Sequence, residues 1–185
     1  MTNNFIQFSK EKFQFIEIKY GAKMEVISNN ELKWHYENYS LRIIYDNRRS
    51  YELGILLSND EDASPPFDLH ELARYADIAS GDSAFQASTE TRLEMIIDKM
   101  AKLLLLVCNQ IPLFSLETMK KLQQQREKEC HEYAKRNKLE RMRIDAEKAW
   151  KEKNYAEIKA LYEPFLDDLS KSELKKYEYA LRSRK

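Results

Sequence analysis

Between residues 31 and 57 the chain alternates. Leu32, Trp34 and Tyr36 are separated by Lys33 and His35; Tyr39, Leu41, Ile43 and Tyr45 repeat the period, and Tyr51, Leu53, Ile55 and Leu57 repeat it again. Successive side chains of a strand point to opposite faces, so a period of two buries one set and leaves the other to water. Turn residues punctuate the runs: Ser28-Asn29-Asn30, then Asn38, then Asp46-Asn47-Arg48-Arg49-Ser50. With Met24–Ile27 as a weaker first member, this pattern predicts an antiparallel meander of three to four strands, one face on a core and one largely wet.

Helical spacing surrounds the meander. Ser9 is placed to cap a helix over 10–20, with Phe8 and Phe13 as a staple across its start and Gly21 just past its end. After the acidic, proline-bearing stretch SNDEDASPPFD, read as a loop, Asp68 and Glu71 have the spacing of a capping box. Leu69, Leu72, Ala73 and Ala76 form the stripe of that helix, and Ser80-Gly81 is expected to end it. A second polar stretch, SGDSAFQASTET, leads to the most apolar helix of the chain. Leu93, Ile96, Ile97, Met100, Ala101, Leu104 and Cys108 line one face of it. Leu103, Leu105, Leu106 and Val107 make its second half apolar all round, which predicts a central helix buried against the sheet, stopped at Pro112. The expected class is α+β.

Beyond Ser115 the character changes. Gln, Glu, Lys and Arg dominate, and apolar residues thin to a narrow stripe, which predicts a long solvated helix followed by a tail of shorter ones. Asn154 with Glu157 and Ser170 with Glu173 mark helix starts, and Pro164 is expected to kink or break the segment between them. The organisation read from this is a core domain over 1–114 and a helical extension over 115–185. A chain of 185 residues can bury one good core with a small appended module.

Several chemistries lack the residues they need. There are 3 glycines, dispersed, so no glycine-rich phosphate cradle can form. Of 3 histidines, only His131 neighbours a cysteine, Cys130; adjacent helix residues point about 100° apart and chelate poorly, so no metal or other cofactor is expected. Cys108 reads as a core residue, and two dissimilar cysteines fit a reducing cytoplasm. No secretory signal and no membrane span is expected, since the most apolar stretch contains Asp98, Lys99 and Lys102. The formal charge is zero overall, but residues 1–80 carry 9 basic and 13 acidic residues, a net of −4. The basic run KRNKLERMR is interleaved with acids, so nucleic-acid binding is not expected. The chain reads as a non-enzyme; a hydrolase with a dispersed acidic or Cys–His site is the third alternative.

Recognition through shape remains. The stretch AEKAWKEKNYAEIKALYE resembles a single tetratricopeptide-type hairpin, with an aromatic near the end of one helix and a tyrosine opening the next. The whole layout, a meander containing YDNRRSYELGILL followed by a capped helix, a buried helix and a charged helical tail, resembles small uncharacterised bacterial proteins of the toxin-immunity type. That resemblance implies a cytoplasmic protein that occludes a toxin's active site. The candidate contacts are His35, Glu37, Arg42 and Glu52 on the wet face, Arg48 and Arg49 at a hairpin tip, and the acidic loop Asp60, Glu61 and Asp62. The competing reading is an adaptor or self-associating module working through the C-terminal helices.

Overall fold

Helix α1, Phe5–Tyr20, begins earlier than the local signature predicts. Asn4 occupies the N-cap position, and Ser9 is fully buried inside the helix with its hydroxyl unpartnered. Phe5, Ser9, Phe13 and Ile16 share one buried face. Burying Phe5, whose ring lies 5.8 Å from that of Tyr45, contributes about 1.5–3 kcal/mol. A serine cap contributes about 1 kcal/mol, so packing sets the start of the helix and the expected staple does not form. The other end is as expected. Gly21 takes φ +68° and donates its N–H to the Glu17 carbonyl at 2.8 Å.

The computed structural model describes residues 4–81 and 84–183, and the fold is α+β. Five strands follow α1: β1 Lys23–Ser28, β2 Glu31–Tyr36, β3 Tyr39–Tyr45, β4 Leu53–Asn59 and β5 Phe67–Asp68. They form one antiparallel sheet in chain order. The two-residue turn Glu37-Asn38 sets the central register, pairing Tyr36 with Tyr39 and Glu31 with Ile44. That register puts Leu32, Trp34, Leu41, Ile43, Ile55 and Leu57 on a common face, all buried. The fifth strand lies at the end of the segment read as a loop, because two residues are too short to show a period. Tyr51 is not part of the third run. It is exposed, with φ +55°, and β4 starts at Leu53.

Helix α2, Leu69–Tyr75, carries the expected capping box: Glu71 N–H donates to Asp68 Oδ1 at 2.8 Å, and Asp68 N–H donates to Glu71 Oε2 at 2.9 Å. It stops at Tyr75, earlier than Ser80-Gly81, with Asp77 in the left-handed region. Asp82 and Ser83 of the following polar stretch lie outside the described residues. Helix α3, Glu90–Gln110, packs on α1 and α2, which themselves lie against the sheet. It is not buried all round. Leu105 and Leu106 are 39% and 53% exposed, because only the face toward α1 and α2 is covered. Tyr20, Tyr36, Tyr39 and Phe114 close one end of this core with rings 5.0–6.4 Å apart.

The chain divides into two compact units, Met1–Gln125 and Arg126–Lys185. Helix α4, Leu116–Lys151, runs through the division. In the second unit it is followed by α5 Tyr155–Tyr162, a 3₁₀ segment Glu163–Asp168 and α6 Lys171–Arg182. Pro164 breaks the run as expected, with Phe165 at φ −127°. The buried core is thin: Met142, Ala146, Ala149, Ile158, Tyr162 and Ala180.

Polar ties supplement that core. Glu173 accepts from Arg143 Nε at 2.8 Å and from Ser170 N–H at 2.6 Å, within a complete capping box. Burial opposes ionisation of Glu173, but Arg143 and both donors of Ser170 outweigh it and hold the carboxyl at about 2, against 4.5 ordinarily. A depressed carboxyl stabilises the fold above its unfolded value and loses that contribution as pH falls through the folded one. Between pH ~4.5 and ~2 the second unit should therefore lose about 2 kcal/mol from this group after allowance for solvent screening. Glu173→Gln should show that deficit already at neutral pH and a shallower acid transition. Circular dichroism on acid titration checks this, and identical profiles for variant and parent would refute it.

Candidate functional site

The second face of the sheet carries the polar half of the alternation. Reading across the strands, one row runs Lys23, His35, Ser40 and Ser58, and the next runs Glu25, Lys33, Arg42, Leu56 and Asp68. Beyond the end of β4 the chain turns back so that Asp60 N–H donates to the Asn38 carbonyl at 2.7 Å. This pins Asp60 beside the β2–β3 turn, over the first of those rows.

Asp60 is then held from several sides. Ser40, almost fully buried, donates its hydroxyl to Asp60 Oδ1 at 2.6 Å, and Ser58 lies 3.0 Å from Ser40. Lys33 Nζ is 3.5 Å from Asp60 Oδ2, and His35 Nδ1 is 3.8 Å from the same oxygen. His35 Nε2 faces Glu25 Oε2 at 3.2 Å, so the ring lies between two carboxylates. Glu61 and Asp62 continue the turn, fixed by Glu61 N–H to Asn59 Oδ1 at 3.1 Å and by Ser64 on Asp62 Oδ1 at 3.0 Å. Glu37, exposed at φ +50°, stands beside Asn38 in the adjoining turn.

This arrangement offers donors and acceptors, not an activated nucleophile. In a serine triad the histidine stands between hydroxyl and carboxylate. Here Asp60 stands between Ser40 and His35, and Ser40 is shielded from solvent. Among the described residues no group of three or more His, Cys, Asp or Glu is placed to hold a metal ion.

The nine candidate residues fall into separate places. His35, Glu37, Asp60, Glu61 and Asp62 gather at one end of the sheet. Arg42 sits mid-strand on the same face, with Nε and Nη2 at 2.7 and 2.6 Å from Glu31 Oε1. Arg48, Arg49 and Glu52 belong to the opposite end, the length of β3 away, about 20 Å. There the Asp46 carboxylate accepts the N–H groups of Arg48, Arg49 and Ser50 and the Ser50 hydroxyl, which hold its carboxyl down at about 2. Glu52 accepts from Gln86 Nε2 at 3.1 Å. Sequence reasoning missed Glu25, Lys33, Ser40 and Ser58, although Lys33 shares the phase of His35 and the two-residue turns at 29–30 and 37–38 bring Glu25 and Ser40 across the strands; Ser58 arrives through the longer connection at 46–52. The acidic stretch, read from the sequence simply as a loop, is fixed at Asp60 by buried Ser40 and the Asn38 carbonyl.

Cys108 is buried, and burial pushes its thiol up; Cys130 is exposed on α4. His70 stacks on Phe85 at 5.1 Å and contacts Ser80 Oγ at 3.1 Å, beside a shallow recess of about 680 Å³ that Arg74 and Gly81 also line. No described helix is long and apolar enough to cross a membrane.

No protein-family model, curated protein or solved structure matches the chain.

Proposed function

We propose that this chain is a non-catalytic cytoplasmic protein-binding protein, and that it neutralises a bacterial toxin domain by covering its active site. The observation that carries the reading is the anchored acidic corner. Asp60 is held by Ser40, Lys33 and His35, and exposed Glu61, Asp62 and Glu37 extend the negative surface around it. Carboxylates fixed before encounter lose little freedom on binding, and a like-signed patch steers a basic partner at enhanced rates. A basic nuclease-type toxin is the partner this chemistry fits.

Co-expression with the polypeptide encoded immediately upstream of its gene tests the proposal. The chain should rescue growth and form a stoichiometric complex. Replacing Asp60, Glu61 and Asp62 together by Lys should slow association at least about tenfold at low salt. Absence of rescue by the parent chain, or unchanged association of the triple variant, defeats the reading.

A second reading draws on the other unit. Trp150, Tyr155 and Tyr179 form an edge-to-face cluster with centroids 5.4–6.1 Å apart, and Tyr179 is 53% exposed. Such a cluster suits an adaptor or self-association surface on the tetratricopeptide-like helices. Light scattering of Tyr179→Ser against the parent separates it from the first: a fall in assembly size favours the helices.

A further inference from the structure

The two edges of the sheet are finished differently. On the β4 side, β5 pairs with Leu56 and Leu57, and the segment around Gln86 covers the other end. Leu53 N–H donates to the Phe85 carbonyl at 2.7 Å, and Ala87 N–H donates to the Tyr51 carbonyl at 2.9 Å. Among the described residues edge β1 has no such cover: its only strand partner is β2, and no other backbone hydrogen bond reaches Lys23–Ser28. Val26 and Ile27 are each 45% exposed there.

An unpaired edge is a template for another strand unless charge, proline or a bulge blunts it. β1 has no proline, and its bulge lies between Val26 and Ser28, past most of the strand. Its charges are Lys23 and Glu25, opposite in sign and two residues apart on the outer face. One sign would repel a second copy; this pair complements it.

We propose that β1 is a docking edge at which a second copy of this chain adds its own β1, antiparallel, about a twofold axis at Met24. Antiparallel self-pairing must keep each side chain on its own face, which limits the registers. Centring on Glu25 sets two carboxylates directly opposite each other. Centring on Val26 places Glu25 against Ile27, inside the bulge. Centring on Met24 places Lys23 opposite Glu25 twice on the outer face and Ala22 opposite Val26 twice on the inner face. Cross-strand pairs of opposite charge stabilise a sheet, and like pairs destabilise it. Glu25 is already turned to that outer face by His35 Nε2 at 3.2 Å. The contact is small, so the dimer is weak, with a dissociation constant of roughly 10–100 µM.

Sedimentation velocity on the full chain over a concentration series reads this directly. The parent should dimerise reversibly. Lys23→Glu and Glu25→Lys, both at exposed positions, should each weaken the dimer at least about tenfold, since each turns two attractive pairs into two repulsive ones. The double variant, which exchanges the charges, should recover the parent affinity, and an equimolar mixture of the two single variants should form a heterodimer. A parent that stays monomeric about tenfold above that range overturns the proposal. So does a dimer indifferent to the single changes, or a double variant as weak as the singles.

Discussion

Trp34→Ala should cost about 3–5 kcal/mol, a large fraction of the stability of an ordinary domain. Trp34 is fully buried at the centre of β2, between Met24 and Leu41, with its ring 6.1 Å from that of Phe13. Its Nε1–H donates to Glu17 Oε1 at 3.3 Å, so truncation also strands a carboxylate near the core. No neighbour can close over the void, because Phe13 is fixed on α1 and Leu41 on β3. The comparison is Ile44→Ala, half-buried on the other face, which should cost about 1 kcal/mol. Urea unfolding followed by circular dichroism measures both. Equal losses would mean that the assignment of faces is wrong.

Ile158→Ala should act on the second unit with similar force, about 2–5 kcal/mol. Three of its six buried core residues are alanines, which leaves Ile158, Met142 and Tyr162 to supply most of the apolar area. A cavity in so thin a core has little around it to collapse inward. Amide exchange across Tyr155–Tyr162 and Lys171–Arg182 should accelerate at least about thirtyfold, the equivalent of the lower figure. Unchanged protection in those helices would show that the charged ties of Arg143 and Lys176, to Glu173 and Glu147, hold the unit without the core.

The central strands were legible because burial and period agree. Each apolar residue from Leu32 to Leu57 that alternates with a polar neighbour lies on the covered face, apart from Tyr51. The capping pair Asp68/Glu71 and the break at Pro164 were legible for the same reason, since both are local chemistry. Errors arose where distant contacts override local signals. Ser9 looks like a cap only until Phe5 has a ring of Tyr45 to pack on. Leu105 and Leu106 look buried only if every apolar residue must be. The anchored corner depends on Asp60 returning to Asn38 and Ser40 across a strand boundary. No linear spacing announces that return.

The segment that finishes the β4 edge lies well after the strand it protects. Synthesis at 5–20 residues per second leaves about 1–6 s between the emergence of Asn59 and that of Ala87. Through that interval a nascent chain on the ribosome presents the β1 edge and, after β5 has emerged, still the Leu53 end of the β4 edge of a nearly complete sheet. Crowded polysomes are therefore where this protein is most exposed to mispairing, and slowing translation between those two points should lower its yield more than slowing it elsewhere.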